Sequence, residues 1–187
     1  MIKKEAPVRG RPRKAGVEDA VLEAIVMLVR QHGLEAVTIQ MVADVAGVGR
    51  QTIYRRWPRR EDMLLDALVK RTAEKLQRAL DMPDGQEIEA ICARIFDNLN
   101  ADGRFTCDLL VLIHDDAAAQ LRFREQIVAP WIALVVQRLV NIGVRADLDL
   151  RLFAFMLQSA LVYQMQLGGQ LDDALQERCC RFIRSML

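Results

Sequence analysis

Breakers and strand signals are scarce in this sequence. Five prolines and ten glycines punctuate 187 residues, and apolar and polar residues do not alternate at period two as half-buried strands require. Helices are left as the main element. Histidine is scarcer still, with two in the chain, and the four cysteines fall at 92, 107, 179 and 180. No CxxC pair and no Cys/His cluster has ligand spacing, so a structural zinc site is excluded and no metal or cofactor is expected. No stretch of 18 uncharged apolar residues occurs, so no membrane span is expected. Nothing resembles a nucleophile with its base, a phosphate loop or a paired catalytic acid, which argues against an enzyme. A reduced, cytoplasmic setting suits thiols without a signal peptide.

What is present is apolar mass and a lopsided charge. Apolar residues make up 52% of the chain, enough for a substantial core in one domain or two small ones. The net charge is only +1, but residues 1–60 hold 12 basic and 6 acidic residues, a net of +6. Residues 61–187 hold 14 and 19, a net of −5. A basic first third on an acidic remainder points one end at a polyanion. Residues 1–16 carry Lys3, Lys4, Arg9, Arg11, Arg13 and Lys14 among Pro7, Gly10, Pro12 and Gly16. The segment has no apolar period and is expected to be disordered when free. Arg11, Arg13 and Lys14 would suit a narrow minor groove; a solvated tail is the other reading.

The periodicity predicts an all-α fold of about nine helices. A first helix is expected over about Val17 to Gln31, with Ala20, Ala24, Met27 and Leu28 inward and Gly33 as its stop. Two short helices follow around Gly47. Pro58 then breaks the chain, and a long helix runs from about Arg60 to Leu80, with Glu61 and Asp62 suiting its positive N-terminus. Turns are expected at Asp81–Gly85 and at Asn100–Gly103, flanking a helix with Ile88, Ile91, Cys92, Ile95 and Leu99. A short helix from Phe105 to His114 comes next. A longer one from Ala118 to Asn141 should be kinked by Pro130. The last two helices run from Asp147 or Asp149 to Leu167, and from Leu171 to Met186.

The most informative stretch is Thr38 to Trp57. Gly47 can take positive φ cheaply and end a helix abruptly, and Ala43 one turn earlier is small enough for a close helix crossing. Thr38 is a suitable N-cap. Ile53 and Trp57 form an i, i+4 inward stripe on the second short helix. Its outward face is then Arg50, Gln51, Tyr54 and Arg55, with Thr52 at the flank. Arginine pairs bidentately with guanine and glutamine with adenine, and a threonine methyl can meet the thymine methyl. Tyr54 offers its hydroxyl to a phosphate. A solvated polar face is the competing reading; the glycine turn, the inward stripe and the basic surroundings favour DNA.

Gly47-Val48, Thr52-Ile53-Tyr54, Trp57-Pro58 and Arg60-Glu61 stand at fixed offsets. Together they resemble the DNA-binding signature of TetR-type regulators. Trp57 stands where phenylalanine is more usual, and Arg56 where histidine is frequent. The resemblance implies that Thr38, Gln40, Arg50, Gln51, Thr52, Tyr54 and Arg55 face DNA and that Arg60 grips a phosphate. It implies an N-terminal three-helix helix-turn-helix domain (17–59) after the arm (1–16). A C-terminal regulatory and dimerisation domain (60–187) would complete the chain.

The segment Leu150 to Leu167 is apolar nearly all round, so it must be buried on more than one side. In TetR-like proteins the last two helices pair with those of a second chain, which implies Phe153, Leu157, Leu161, Leu175, Cys179 and Phe182 as the dimer interface. Candidate walls of an effector pocket are Phe96, Leu99, Leu109, Leu112, Ile113, Trp131, Leu134, Phe155, Met156 and Tyr163, a mostly apolar set; simple core filling is the rival reading for each. The expected partners are thus an operator duplex, a second copy of the chain and a small hydrophobic or aromatic effector that relieves repression. A helical protein-interaction adaptor or small-molecule carrier would share the apolar helices but would not need the arm or the Arg50–Arg60 cluster. His114-Asp115-Asp116 reads as a capping site. Cys179-Cys180 reads as core, since adjacent helical cysteines point apart.

Overall fold

Nine α-helices and no strand occupy the described residues of the computed structural model, which are 15–80, 88–145 and 147–187. They are α1 (Ala15–His32), α2 (Ile39–Ala46), α3 (Arg50–Arg56), α4 (Arg60–Leu80), α5 (Ile88–Leu112), α6 (Ala117–Phe123), α7 (Ala129–Asn141), α8 (Leu150–Gln166) and α9 (Asp173–Arg184). The all-α expectation holds. The expected turn at Asp81–Gly85 lies outside the described residues, as does most of the basic arm.

Two element boundaries differ from the sequence reading. Asn100–Gly103 is not a turn, because α5 runs through it unbroken for 25 residues. Each residue that reads as a breaker there has a tertiary reason to stay helical. Asn100 Nδ2 donates to the Leu171 carbonyl at 3.2 Å. Asp102 is buried and ion-paired. Gly103 lies against Met165, whose Cε would come within 2.5 Å of a Cβ at that position. The second difference is at Pro130. In place of one kinked helix, α6 passes into a single π-helical turn, Arg124–Val128, and Pro130 opens α7. Proline suits a first helical turn, where a backbone donor is not needed.

The first apolar core does not stop at α3. Val21, Leu22, Ile25 and Leu28 of α1, with Val42, Ile53 and Trp57, pack on Met63, Leu64, Leu65 and Leu68 of α4. The same cluster takes in Phe105 and Leu109 of α5 and Ile113, Phe123 and Ile127 beyond it. Ala20 is half-buried and Met27 is 40% exposed, so the inward face of α1 is rotated from the expected one. Two smaller clusters fill the far end. One centres on Cys92, Leu139, Leu150 and Ile183, the other on Phe96, Leu161 and Leu171.

Candidate nucleic-acid interface and ligand cavity

Residues 38–57 form two helices around a glycine turn. Thr38 sits in extended geometry and its hydroxyl accepts from Met41 N–H at 3.2 Å, capping α2. Gly47 takes φ 65° and ψ 33°, and Val48 N–H bonds back to the Ala43 carbonyl at 3.0 Å. This is a left-handed helix stop that satisfies the last carbonyls of α2 and sends the chain into α3. Ile53 is fully buried and Trp57 is 4% exposed, so the two anchors fix the roll of α3 about its axis.

That roll leaves Arg50, Gln51, Tyr54 and Arg55 exposed on one side, with Thr52 half-buried at the edge. Thr38 and Gln40 are exposed beside them, Gln40 donating to Asp44 at 2.7 Å. Arg56 faces elsewhere. It pairs with Glu18 of α1, and its guanidinium lies 5.5 Å from the Trp57 ring centre. Arg60 is half-buried and engaged within the chain. Its Nε donates to the Val37 carbonyl at 3.1 Å, and its Nη2 donates to the Leu34 carbonyl. The guanidinium therefore holds the loop between α1 and α2 in place through two of its nitrogens. Arg11, Arg13 and Lys14 lie outside the described residues.

Of the polar ties that join residues 17–59 to the rest of the described residues, three reach α5 or α6. Arg59 Nη1 donates to Asp116 Oδ2 at 2.5 Å, and Asp116 also caps α6 by accepting from Ala119 N–H at 2.9 Å. Those two hydrogen bonds hold the Asp116 carboxyl below its ordinary range. Trp57 Nε1 donates to Asp66 Oδ2 at 2.7 Å, and Arg122 of α6 pairs with the same carboxylate. The third tie is buried. Asp102 of α5 accepts from Arg30 of α1 at 2.8 Å and from Arg71 of α4 at 3.1 Å, and Lys75 Nζ stands 2.5 Å from its Oδ2. Burial pushes the Asp102 carboxyl up, but the Lys75 hydrogen bond and the surrounding cations outweigh it and leave it below the usual range. Burial dominates at Lys75 and lowers its ammonium.

Asp102 and Lys75 stand in the wall of a cavity between α4, α5, α7 and α8. The cavity volume is about 70 Å³, and the space opens to solvent. Leu68, Ile95, Leu99, Ile127, Trp131 and Leu157 supply most of its apolar lining; Thr72, Asn98, Thr106 and Gln158 add polar groups. Ile127 belongs to the π-helical turn, a feature often found at functional sites.

Residues 21–67 match the model of the bacterial regulatory proteins of the TetR family. The likeness to that family is shown over this segment, about a quarter of the chain. A helix-turn-helix transcriptional regulator of Bacillus subtilis (strain 168), YdeS, is 34% identical over 68 residues, which are 36% of this chain and 34% of that protein. The match thus spans about a third of that relative's length. The solved TetR family transcription regulator SCO0332 has a TM-score of 0.72 at 24% identity, covering 91% of this chain and 98% of its own. A regulator from Saccharomonospora viridis solved with choline has a TM-score of 0.70 at 18% identity, covering 91% and 97%. These two likenesses show a shared fold.

The expected pocket and interface residues fall in several different places in the fold. Of the ten expected pocket walls, Leu99 and Trp131 line the cavity. Leu109 and Ile113 are buried in the first core, with Leu112 packed against it. Phe96 is buried with Leu161 and Leu171. Leu134 lines a separate shallow hollow with Ala79 and Arg138. Phe155, Met156 and Tyr163 are 51%, 59% and 61% exposed, because α8 turns Ala154, Leu157 and Leu161 inward instead. Of the expected interface residues, Leu161 is buried within the chain and Leu157 lines the cavity. Phe153, Leu175 and Cys179 are half-buried, and Phe182 is 57% exposed, its ring 5.8 Å from that of Phe153. The sequence reading missed Asp102 altogether. Its signal was Arg71 and Lys75, one turn apart on the same side of α4 as Leu68 and Thr72, where an apolar stripe should continue. Burial, chiefly, raises the thiols of Cys92, Cys107 and Cys179, so none is an activated thiolate.

Proposed function

We propose that the protein is a transcription regulator that binds duplex DNA through α3 and answers to a small apolar or aromatic ligand. The observation that carries this is the face of α3. Arg50, Gln51, Tyr54 and Arg55 are exposed together on a helix whose opposite side is locked by Ile53 and Trp57. Arginine and glutamine at the start of such a helix match guanine and adenine edges in a major groove. Residues 17–59 act as the reading head, the basic arm at 1–16 follows the minor groove, and residues 60–187 hold ligand and partner.

A second copy completes the reader. Leu152, Phe155, Met156, Tyr163 and Leu167 form an exposed apolar stripe along α8, and Phe182 of α9 is exposed as well. Contiguous apolar surface of this kind suits association. A two-fold pair would present two α3 helices to a near-palindromic operator. Repression would be relieved when a ligand in the α4–α5–α7–α8 cavity shifts α4 and the spacing of the heads, with ligand and DNA opposing each other reciprocally. Choline in the Saccharomonospora neighbour supports a small-molecule ligand here, not that particular one. The cavity wall of this chain offers one carboxylate, Asp102, already met by three cations.

Selection of duplexes from a random pool, followed by titration of the selected sequence, tests the reading. A recovered sequence with inverted-repeat symmetry is expected. Recovery of no preferred sequence would remove the proposal.

A further inference from the structure

The polar atoms in the cavity wall are unevenly matched, and the mismatch has one sign. Asn98 Nδ2 is buried and finds no hydrogen-bond partner among the described residues. An orphaned buried donor is uncommon and is ordinarily met by water or ligand. Beside it, Lys75 Nζ donates to the Asn98 carbonyl at 3.0 Å and meets Asp102 at 2.5 Å. An ammonium has three donors, so these two partners leave one. Lys75 is only 8% exposed. The one acidic group in the wall is Asp102, which already faces Arg30, Arg71 and Lys75. The polar corner therefore has spare donors and a surplus positive charge, with Lys75 in the wall and Arg30 and Arg71 on Asp102 from outside it, while most of the remaining wall is apolar.

We propose that this cavity takes a monocarboxylate with a single apolar body, its head held by Lys75 and the orphaned Asn98 amide and its body along Leu99, Trp131 and Leu157. The assignment rests on the reading of this cavity as the ligand site and adds the chemistry of the ligand. A carboxylate can accept from both donors at once, and charge-assisted hydrogen bonds of this kind are the strong ones. An alcohol head satisfies the Asn98 amide without meeting the surplus charge. A quaternary ammonium has no acceptor for these donors and meets the Lys75 ammonium. The head also engages Lys75, one of the cations on Asp102, and Asp102 holds Arg30 of α1. Ligand chemistry thus reaches the head through one shared carboxylate.

The test compares probes that share a body and differ in the head: decanoate, decanol and decyltrimethylammonium, each below its micelle concentration. Naphthalene carboxylate separates aromatic from aliphatic bodies. Binding is read by calorimetry and by the fluorescence of Trp131, with Trp131→Phe as the control. Decanoate or the aromatic acid should bind at least about tenfold tighter than either other head. Lys75→Met and Asn98→Leu should each remove most of that preference, with circular dichroism confirming the fold. Equal binding of all heads, tighter binding of the ammonium, or an unchanged preference in a folded Lys75→Met protein would overturn the carboxylate assignment while leaving the cavity as a ligand site. Failure of every probe to bind would count against both.

Discussion

Arg30 and Asp102 are 72 positions apart in the chain and 2.8 Å apart in space. The contact joins the end of α1 to the middle of α5, in the wall of the cavity. Arg71 and Lys75 of α4 bind the same carboxylate. Three helices thus meet on one buried anion. Any movement of α4 relative to α5 must stretch this cluster, so it is the natural place for ligand binding and head position to affect each other.

Replacing Asp102 with Asn should destabilise the protein by about 3 kcal/mol, since it leaves the buried Lys75 ammonium without its counter-charge. The lower part of the usual range applies because Arg30 is 46% exposed. The acid limb gives a sharper check. The Asp102 carboxyl is held below its ordinary range, so its contribution is fully present above the unfolded value of about 4 and is lost as pH falls through the folded value. Urea unfolding from pH 7 to pH 3 should show the gap between parent and variant closing below about pH 4. A gap independent of pH would mean that the charge of Asp102 does not act as described.

Arg60→Ala and Arg50→Ala should behave differently. Arg60 supports the carbonyls of Leu34 and Val37, so its loss should cost about 1–3 kcal/mol of stability, seen as a lower Tm. Arg50 is exposed and makes no such support, so its loss should leave Tm nearly unchanged. It should instead reduce discrimination at one operator position by about 1–3 kcal/mol. A thermal scan and a competition titration read the two effects separately.

The all-α fold, the glycine turn and the Thr38 cap were legible in the sequence because local chemistry decides them. Gly47 needs positive φ, and Ile53 and Trp57 bury at helical spacing whatever lies beyond α4. The helical path through Asn100–Gly103 was not legible. It depends on the Met165 side chain, the Leu171 carbonyl and the cations on Asp102, all distant in sequence. The same holds for α8. A helix apolar all round carries no periodic signal of which face turns inward, so Phe155 and Tyr163 were placed in a pocket and Leu161 at an interface. The hydrogen bonds of Arg60 to the Leu34 and Val37 carbonyls were not legible either, because carbonyl partners carry no sequence signature.

The exposed stripe on α8 predicts the effect of charge there. Phe155→Glu combined with Met156→Glu should convert a dimer into a folded monomer, because both side chains are more than half exposed and neither supports the core. Sedimentation should show the mass halved, with helicity retained and operator affinity greatly weakened. An unchanged mass would place any pairing surface elsewhere.

Asp66→Ala should loosen the join between head and body. It removes the acceptor of Trp57 Nε1 and the partner of Arg122 together. A buried indole donor left without a partner costs about 1–3 kcal/mol. Hydrogen exchange should rise in α3 and α6 together; a rise confined to α6 would show that Trp57 is held by packing alone.

The central claim is that α3 reads DNA, and its most direct test is one titration series. Affinity for a selected duplex and for its scrambled counterpart is measured from low to high salt, with parent and Arg50→Ala proteins. The account predicts that both affinities fall steeply with salt, that the parent prefers the selected duplex by about 10³-fold or more, and that Arg50→Ala loses part of that preference. Salt-independent binding, or equal affinity of the parent for both duplexes, would contradict it.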